Sequence, residues 1–438
     1  MKGNDTREME MEKKRILYYG WVIVAVSFVA QIVSYAMRYN FSLFYVAILH
    51  DFGWTREATA LAFSINLIAY ALSAPLAGTL VARFGIRRLV STGAVMLGLT
   101  LFVCSRIHAI WELYIVLAFA AIGVATAGFV PHLTVVTHWF SRKRGLAIGV
   151  VNAGVLCNML LAPVVQYLIS SLGWRGATGV LAASAIFILA PLAAIFHRDR
   201  PEDKGLHVDG DAGESSSGKK GKSNSLLNQK GPTLSELSLW EALGTYRFWS
   251  LSLMFFFLGF YLYLFLVHQV AYLADAGYSK TFAAQVVSLF GILAVTGSLC
   301  TFISDRLGRE ITFTCSSALV VFALAALTLA RDPAFAWAVF LYAITFGFAY
   351  GMSTSLLGSV AGDLFQGKSF GAISGTAISC FVVGGAVGPW LGGRIFDKVG
   401  SYNPVFPLAY MAIGTALIFI WLAAPRKGPV RIKSRLTS

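Results

Sequence analysis

Charge is what this sequence has least of. Only 13% of its 438 residues are Asp, Glu, Lys or Arg, where a soluble domain carries about 25%. Acid is scarcer than base, 21 residues against 35, and no Asp or Glu falls in the middle of an apolar run. Asp51, Glu112, Asp275, Asp305, Asp363 and Asp397 all stand at run ends. The five cysteines lie in apolar segments with neither a paired framework nor ligand spacing, which excludes a disulfide scaffold and a cysteine metal site. A phosphate loop, a His-Glu-x-x-His pair, a nucleophile elbow and a dinucleotide fingerprint are also missing. We therefore expect no enzyme activity, no ATP-driven pump, no cofactor and no metal. What abounds is apolar surface: 57% of residues are hydrophobic and mean hydropathy is +0.69. Exposing that surface to water costs about 25 cal/mol per Å². A soluble globule, a disordered chain and a coiled coil are thereby excluded, leaving an all-α polytopic membrane protein.

A helix needs about 20 apolar residues to cross a bilayer, and the chain supplies twelve such stretches: 17–48, 58–81, 89–105, 113–137, 146–170, 177–196, 248–273, 282–303, 311–330, 335–362, 370–395 and 404–424. The runs are continuous, not alternating, so helices are expected instead of a barrel. Met1 to Arg15 is polar and the run after it is too long for a signal core, so a multi-pass protein without a cleaved leader is expected. With the amino terminus inside, 27 of the 35 basic residues fall in inner segments, seven at outer ends and one, Arg38, inside a span. This bias puts both termini in the cytoplasm of a cell membrane. It also assigns the net charge of +14 to an anionic inner leaflet and not to nucleic acid.

The composition divides the chain into a tail (1–16), a six-helix half (17–197), a polar linker (198–246), a second six-helix half (247–425) and a tail (426–438). The linker holds a Gly/Ser/Lys tract at 213–225, then an amphipathic stretch from Thr233 to Leu243. The halves repeat one another. Gly145, Gly149 and Pro163 recur as Gly371, Gly375 and Pro389, all at an offset of 226, and Arg83-Phe84-Gly85 recurs as Arg306-Leu307-Gly308. Equivalent loops lie on the same side, so the repeat is parallel, about an axis along the membrane normal.

Gly78-x-x-x-Ala82-Arg83-Phe84-Gly85-Ile86-Arg87-Arg88 resembles the loop signature after the second helix of the major facilitator superfamily, with Ala82 where Asp is usual. The second copy, Asp305-Arg306-Leu307-Gly308-Arg309, keeps the acid. A narrower resemblance is to monocarboxylate transporters and the bacterial oxalate/formate antiporter branch. It rests on Trp139-Phe140-Ser141-Arg142-Lys143-Arg144-Gly145-Leu146-Ala147-Ile148-Gly149, then Ala153-Gly154, and on Pro201-Glu202-Asp203-Lys204-Gly205-Leu206. Tyr19-Gly20-Trp21-Val22 lacks the Asp that often opens the eukaryotic signature, and residues 282–303 lack the family's mid-helix Asp/Arg pair. The resemblance implies the major facilitator fold and a cytoplasmic charge latch, with Arg83, Arg87, Arg142, Asp305, Arg306 and Arg309 as gating residues.

A polar solute needs a polar path, so polar residues inside spans are informative. Arg38 costs about 2.5–3.5 kcal/mol there and shares a stripe with Gln31, Ser34, Tyr35, Ser42 and Tyr45. It can grip a carboxylate through two parallel hydrogen bonds; the bland reading is an arginine snorkelling to the outer end. Asn66 and Tyr70 with Ser73, and Tyr272 and His268 with Tyr261, form further one-sided sets, for which helix–helix hydrogen bonding is the competing reading. His268 titrates near neutrality and is the candidate proton carrier. Asn152 and Tyr350 complete the candidate lining, while His132 and the glycines of the fifth and eleventh spans read as structural. The resulting expectation is a secondary transporter, monomeric as a unit, moving a small organic anion such as a monocarboxylate by alternating access, proton-coupled or anion-exchanging. The alternatives are an exporter of amphipathic or neutral compounds and a non-transporting membrane sensor.

Overall fold

The computed structural model describes residues 18–210, 237–367 and 369–427. Residues 1–17 and 428–438, Lys368 and most of the polar linker lie outside the described residues. Helix α1 comprises Tyr19–Tyr39 and Phe41–Phe52 with Asn40 between them, and α2 is Arg56–Phe84, α3 Ile86–Cys104. Helix α4 is Ile110–Ala127 and Phe129–Trp139, broken at Gly128. A helical stretch of 53 residues then runs from Arg144 to Phe196. At 1.5 Å per residue it would span about 80 Å, more than twice the hydrocarbon core. Gly173, at φ 72°, turns it back, giving α5 (Arg144–Leu156, a 3-10 turn at Met159–Leu161, then 162–172) and α6 (174–196). The second half holds α7 (Tyr246–Asp275), α8 (Lys280–Leu307), α9 (Arg309–Leu329), α10 (Ala336–Leu364), α11 (Phe370–Val399) and α12 (Val405–Ala423). Among the described residues, the eleven helical stretches long and apolar enough to cross a membrane thus make twelve crossings.

The repeat is legible in the backbone. Gly85 and Gly308, equivalent in the two halves, both take positive φ where a span ends and the next begins. Thr55, Thr245 and Ser279 cap α2, α7 and α8 by accepting from N–H groups of the first turn. Helix α7 is the most enclosed, with 83% of its most apolar stretch buried against 28–61% for the other spans. Its Gly259 faces Gly384 and Gly388 of α11 so closely that a Cβ on any of the three would overlap an opposing carbonyl. Gly297 and Gly351 do the same for α8 and α10. Without a hydrophobic drive between helices in lipid, such close approach is what holds them.

We call the side bearing Tyr18 and Arg426 the basic side, and the opposite one the far side. The halves meet through α2 with α11, the second part of α1 with α7, and α5 with α8. The polar contacts that join the halves through Arg56, Glu57, Ser64 and Ser288 lie at the far side or mid-depth. On the basic side Gly145 and Gly149 of α5 and Gly371 and Gly375 of α11 face open space, with nothing within 4 Å of an added Cβ. Close packing holds only for the far and middle parts of these two helices. The bundle is closed at the far side and parted at the basic side.

Two further departures concern the linker. Residues 198–210 pack on the first half instead of hanging free, and of the amphipathic stretch only Leu237 onward is described. There Ser238 caps the short helix Leu239–Leu243, and Trp240 is exposed.

Candidate functional site

Arg38 sits in the last turn before the break at Asn40, where α1 bends. Asn40 holds the bend by donating to the carbonyls of Ala36 and of Asn158 on α5. The Arg38 guanidinium lies over the Tyr70 ring, 4.4 Å from its centroid, and 6.0 Å from that of Tyr35. The phenols of Tyr35 and Tyr70 are hydrogen-bonded at 2.9 Å. Tyr39 and Tyr263 are the other phenols near Arg38, and Tyr350 pairs with Tyr39. The second half therefore contributes two of the five phenols. Tyr263 is held by ring contacts with Phe63 and Phe381. Arg38 has no carboxylate partner among the described residues, and its Nη1 is buried with no acceptor.

An uncompensated cation with a free N–H, ringed by phenols, can take one carboxylate. Cation–π contact offsets part of the cost of holding that charge while the site is empty. A single cation neutralises a monoanion and leaves a dianion half paired.

Asn66 lies beside Arg38 in a small cleft, but its amide donates to the Leu117 carbonyl. Asn152 is half-buried on α5. Tyr272 donates to the Leu327 carbonyl inside the second half. The structure thus brings Tyr35, Tyr70 and Tyr350 to Arg38, with Asn66 at the edge, and leaves Tyr272 elsewhere.

His268 belongs to a different assembly, the far-side closure. Arg56 at the start of α2 makes two parallel bonds to Asp275 of α7, both 2.7 Å, and donates to the Tyr402 hydroxyl at 2.9 Å. Asp397 at the end of α11 accepts from the Arg56 and Glu57 N–H groups at 3.0 and 2.7 Å, satisfying the first turn of α2. Arg394 reaches Glu57 at 3.6 Å. Behind this layer the Nε2 of His268 must donate to the Pro389 carbonyl, at 2.8 Å, so the neutral ring accepts from Tyr402 at Nδ1. Sequence reasoning left Arg56, Asp275, Arg394 and Asp397 as mere helix ends. The available signal was that residues of opposite charge end spans that the repeat places side by side.

The expected gating residues sort by half. Arg309 pairs with Asp363 and Asp305, at 2.8 and 2.6 Å, within the second half. In the first half, where Ala82 replaces the acid, the N–H of Ile86 is met by Asp199 from the segment after α6, at 2.7 Å. Arg83 lies over the Phe84 ring. The loop at Arg142 is held by Asp209, which accepts from the Ser141 and Arg142 N–H groups. Arg87 and Arg306 are exposed.

A family profile described as Major Facilitator Superfamily matches residues 27–389. Monocarboxylate transporter 2 of Homo sapiens is 27% identical over 431 residues, covering 93% of this chain and 88% of its own. Monocarboxylate transporter 13 of Bos taurus is 25% identical, covering 94% and 92%. Among solved structures, a bacterial homologue of the human lysosomal transporter Spinster, inward-facing and occupied, superposes with a TM-score of 0.63 at 16% identity over 93% of this chain and 96% of that one. The nucleoside transporter NupG (D323A mutant) gives 0.67 at 12% over 92% and 98%. At these identities the two structures speak for the fold alone.

Proposed function

The chain belongs to the Major Facilitator Superfamily of membrane transporters, and from that premise we propose that it moves a small organic monoanion, a monocarboxylate, by alternating access. The observation that carries this reading is Arg38, a mid-bundle cation with no carboxylate partner among the described residues and one buried N–H left over. Tyr35, Tyr39, Tyr70, Tyr263 and Tyr350 form its wall, so substrate binding draws on both halves. The names of the relatives supply the same substrate class. We take the basic side as cytoplasmic, in line with the Lys and Arg bias, which makes the conformation described an inward-open one. With no acid in the middle of a span among the described residues, charge balance falls to anion exchange, to a proton carried by the substrate, or to His268. The test is counterflow in proteoliposomes with monocarboxylates, dicarboxylates and neutral amides. The expected outcome is exchange of monocarboxylates only, abolished in Arg38→Ala; equal exchange by normally inserted Arg38→Ala protein would overturn the reading.

A further inference from the structure

Outside the central site, two histidines meet in the interior of the first half. His132 of α4 and His197 at the end of α6 are both fully buried, with their Nε2 atoms 3.1 Å apart. The Nδ1 of His132 lies 2.6 Å from the Gly128 carbonyl, which can only accept. That fixes the protons: His132 carries Nδ1–H and accepts at Nε2, while His197 donates from Nε2. The remaining nitrogen, His197 Nδ1, is buried with no partner among the described residues.

His197 begins a strap, residues 197–210, laid over the basic side of the first half. Its Arg198 carbonyl accepts from the Trp139 indole at 3.1 Å. Asp199 accepts from Ile86 at the start of α3, and the His207 carbonyl from Tyr18. Asp209 accepts from Ser141 and Arg142 in the loop between α4 and α5. Leu206 packs on the apolar cluster around Trp139 and Phe140. The strap therefore ties both basic-side loops of this half. The break at Gly128 that His132 holds also meets Tyr35, whose hydroxyl accepts from the Phe129 N–H at 3.5 Å.

We propose that the His132–His197 pair is a proton-binding site on the basic side, and that protonating it releases the strap from α4 and frees the loops it clamps. Of the titratable and charged groups, Arg198 acts on His197 directly, while His138 and Tyr19 are bonded to the neighbouring Asp199 and Phe196 carbonyls. Arg198 is a cation, and the carboxylate of the next residue, Asp199, is engaged by the Ile86 N–H. A proton arriving at His197 Nδ1 would meet no acceptor and would place a second positive charge beside Arg198 in a buried setting, which is costly. Burial first, then His132 and Arg198, hold His197 well below the ordinary histidine value. With the docked value lowered, docking is at full strength above the free histidine range near pH 6.5 and is lost as pH falls toward the lowered value. Asp209 does not supply the switch. Its burial acts upward, but the backbone N–H groups it accepts from outweigh this and hold its carboxyl below the usual range.

The inference is independent of the substrate, and its test needs no transport. Amide hydrogen exchange of the full-length protein in nanodiscs, corrected for intrinsic rates, is followed from about pH 7.5 to 5.5. In wild type, protection of residues 198–210 and of the Ile86 and Arg142 amides is expected to fall by up to about tenfold per pH unit below the onset. Arg198→Gln should raise the docked value and so reduce the total loss of protection at the low-pH end, leaving the onset, set by the free histidine, in place, and His197→Gln should remove the pH dependence. A wild-type profile flat across the range overturns the proposal even if His197→Gln fails to dock at any pH.

Discussion

Arg38 illustrates what a single residue discloses. A charge among apolar neighbours could be identified in the sequence, and so could its polar stripe, because both follow from helical spacing. Its wall was only partly legible: Tyr35 and Tyr70 share its half, whereas Tyr263 and Tyr39 carry no spacing signal that points to Arg38. His268 was legible as a titratable residue but not as part of the far-side closure, since that depends on Tyr402 reaching it from the loop after α11. We predict that Arg38→Lys retains monocarboxylate exchange but at reduced affinity. A lysine keeps the charge and loses the second parallel N–H, a charge-assisted bond worth about 1.5–3 kcal/mol, or roughly tenfold to a hundredfold in apparent KM. Counterflow against substrate concentration measures it.

At the scale of elements, the far-side closure rests on the first turn of α2. Asp397→Ala leaves two N–H groups without their carboxylate, a loss of about 0.5–2 kcal/mol in capping contacts. Because that loss falls only on the far-closed state, populations should shift toward far-open by about twofold to thirtyfold. Spin-label distances between the far ends of α2 and α11 should lengthen, and an unchanged distribution would remove Asp397 from the closure. The glycines separate into two kinds. Gly384→Leu drives a side chain into the Phe256 carbonyl and should lower the melting temperature, overpacking costing about 1–3 kcal/mol or more. Gly371→Leu, facing open space, should leave the melting temperature near wild type and still slow transport, because the basic side must close over it. Composition alone made the two kinds look alike, since it cannot say which end of a bundle is parted.

At the scale of the molecule, the twelve crossings, the two halves and the parallel repeat were all legible, because apolar runs and the offset between Gly145 and Gly371 are one-dimensional signals. The strap was not. Residues 198–210 are polar enough to read as tether, and only the carbonyls and N–H groups of distant loops give Asp199 and Asp209 their partners. The whole account turns on one claim, that an anion seats on Arg38 between the halves. Its most direct test is ligand-induced thermal stabilisation of the purified protein, where a monocarboxylate at about 100 times its Kd should add about 2.7 kcal/mol. Wild type should be stabilised by the monocarboxylate and not by its neutral amide, and Arg38→Gln by neither. Equal stabilisation of Arg38→Gln, or of wild type by the amide, would contradict it.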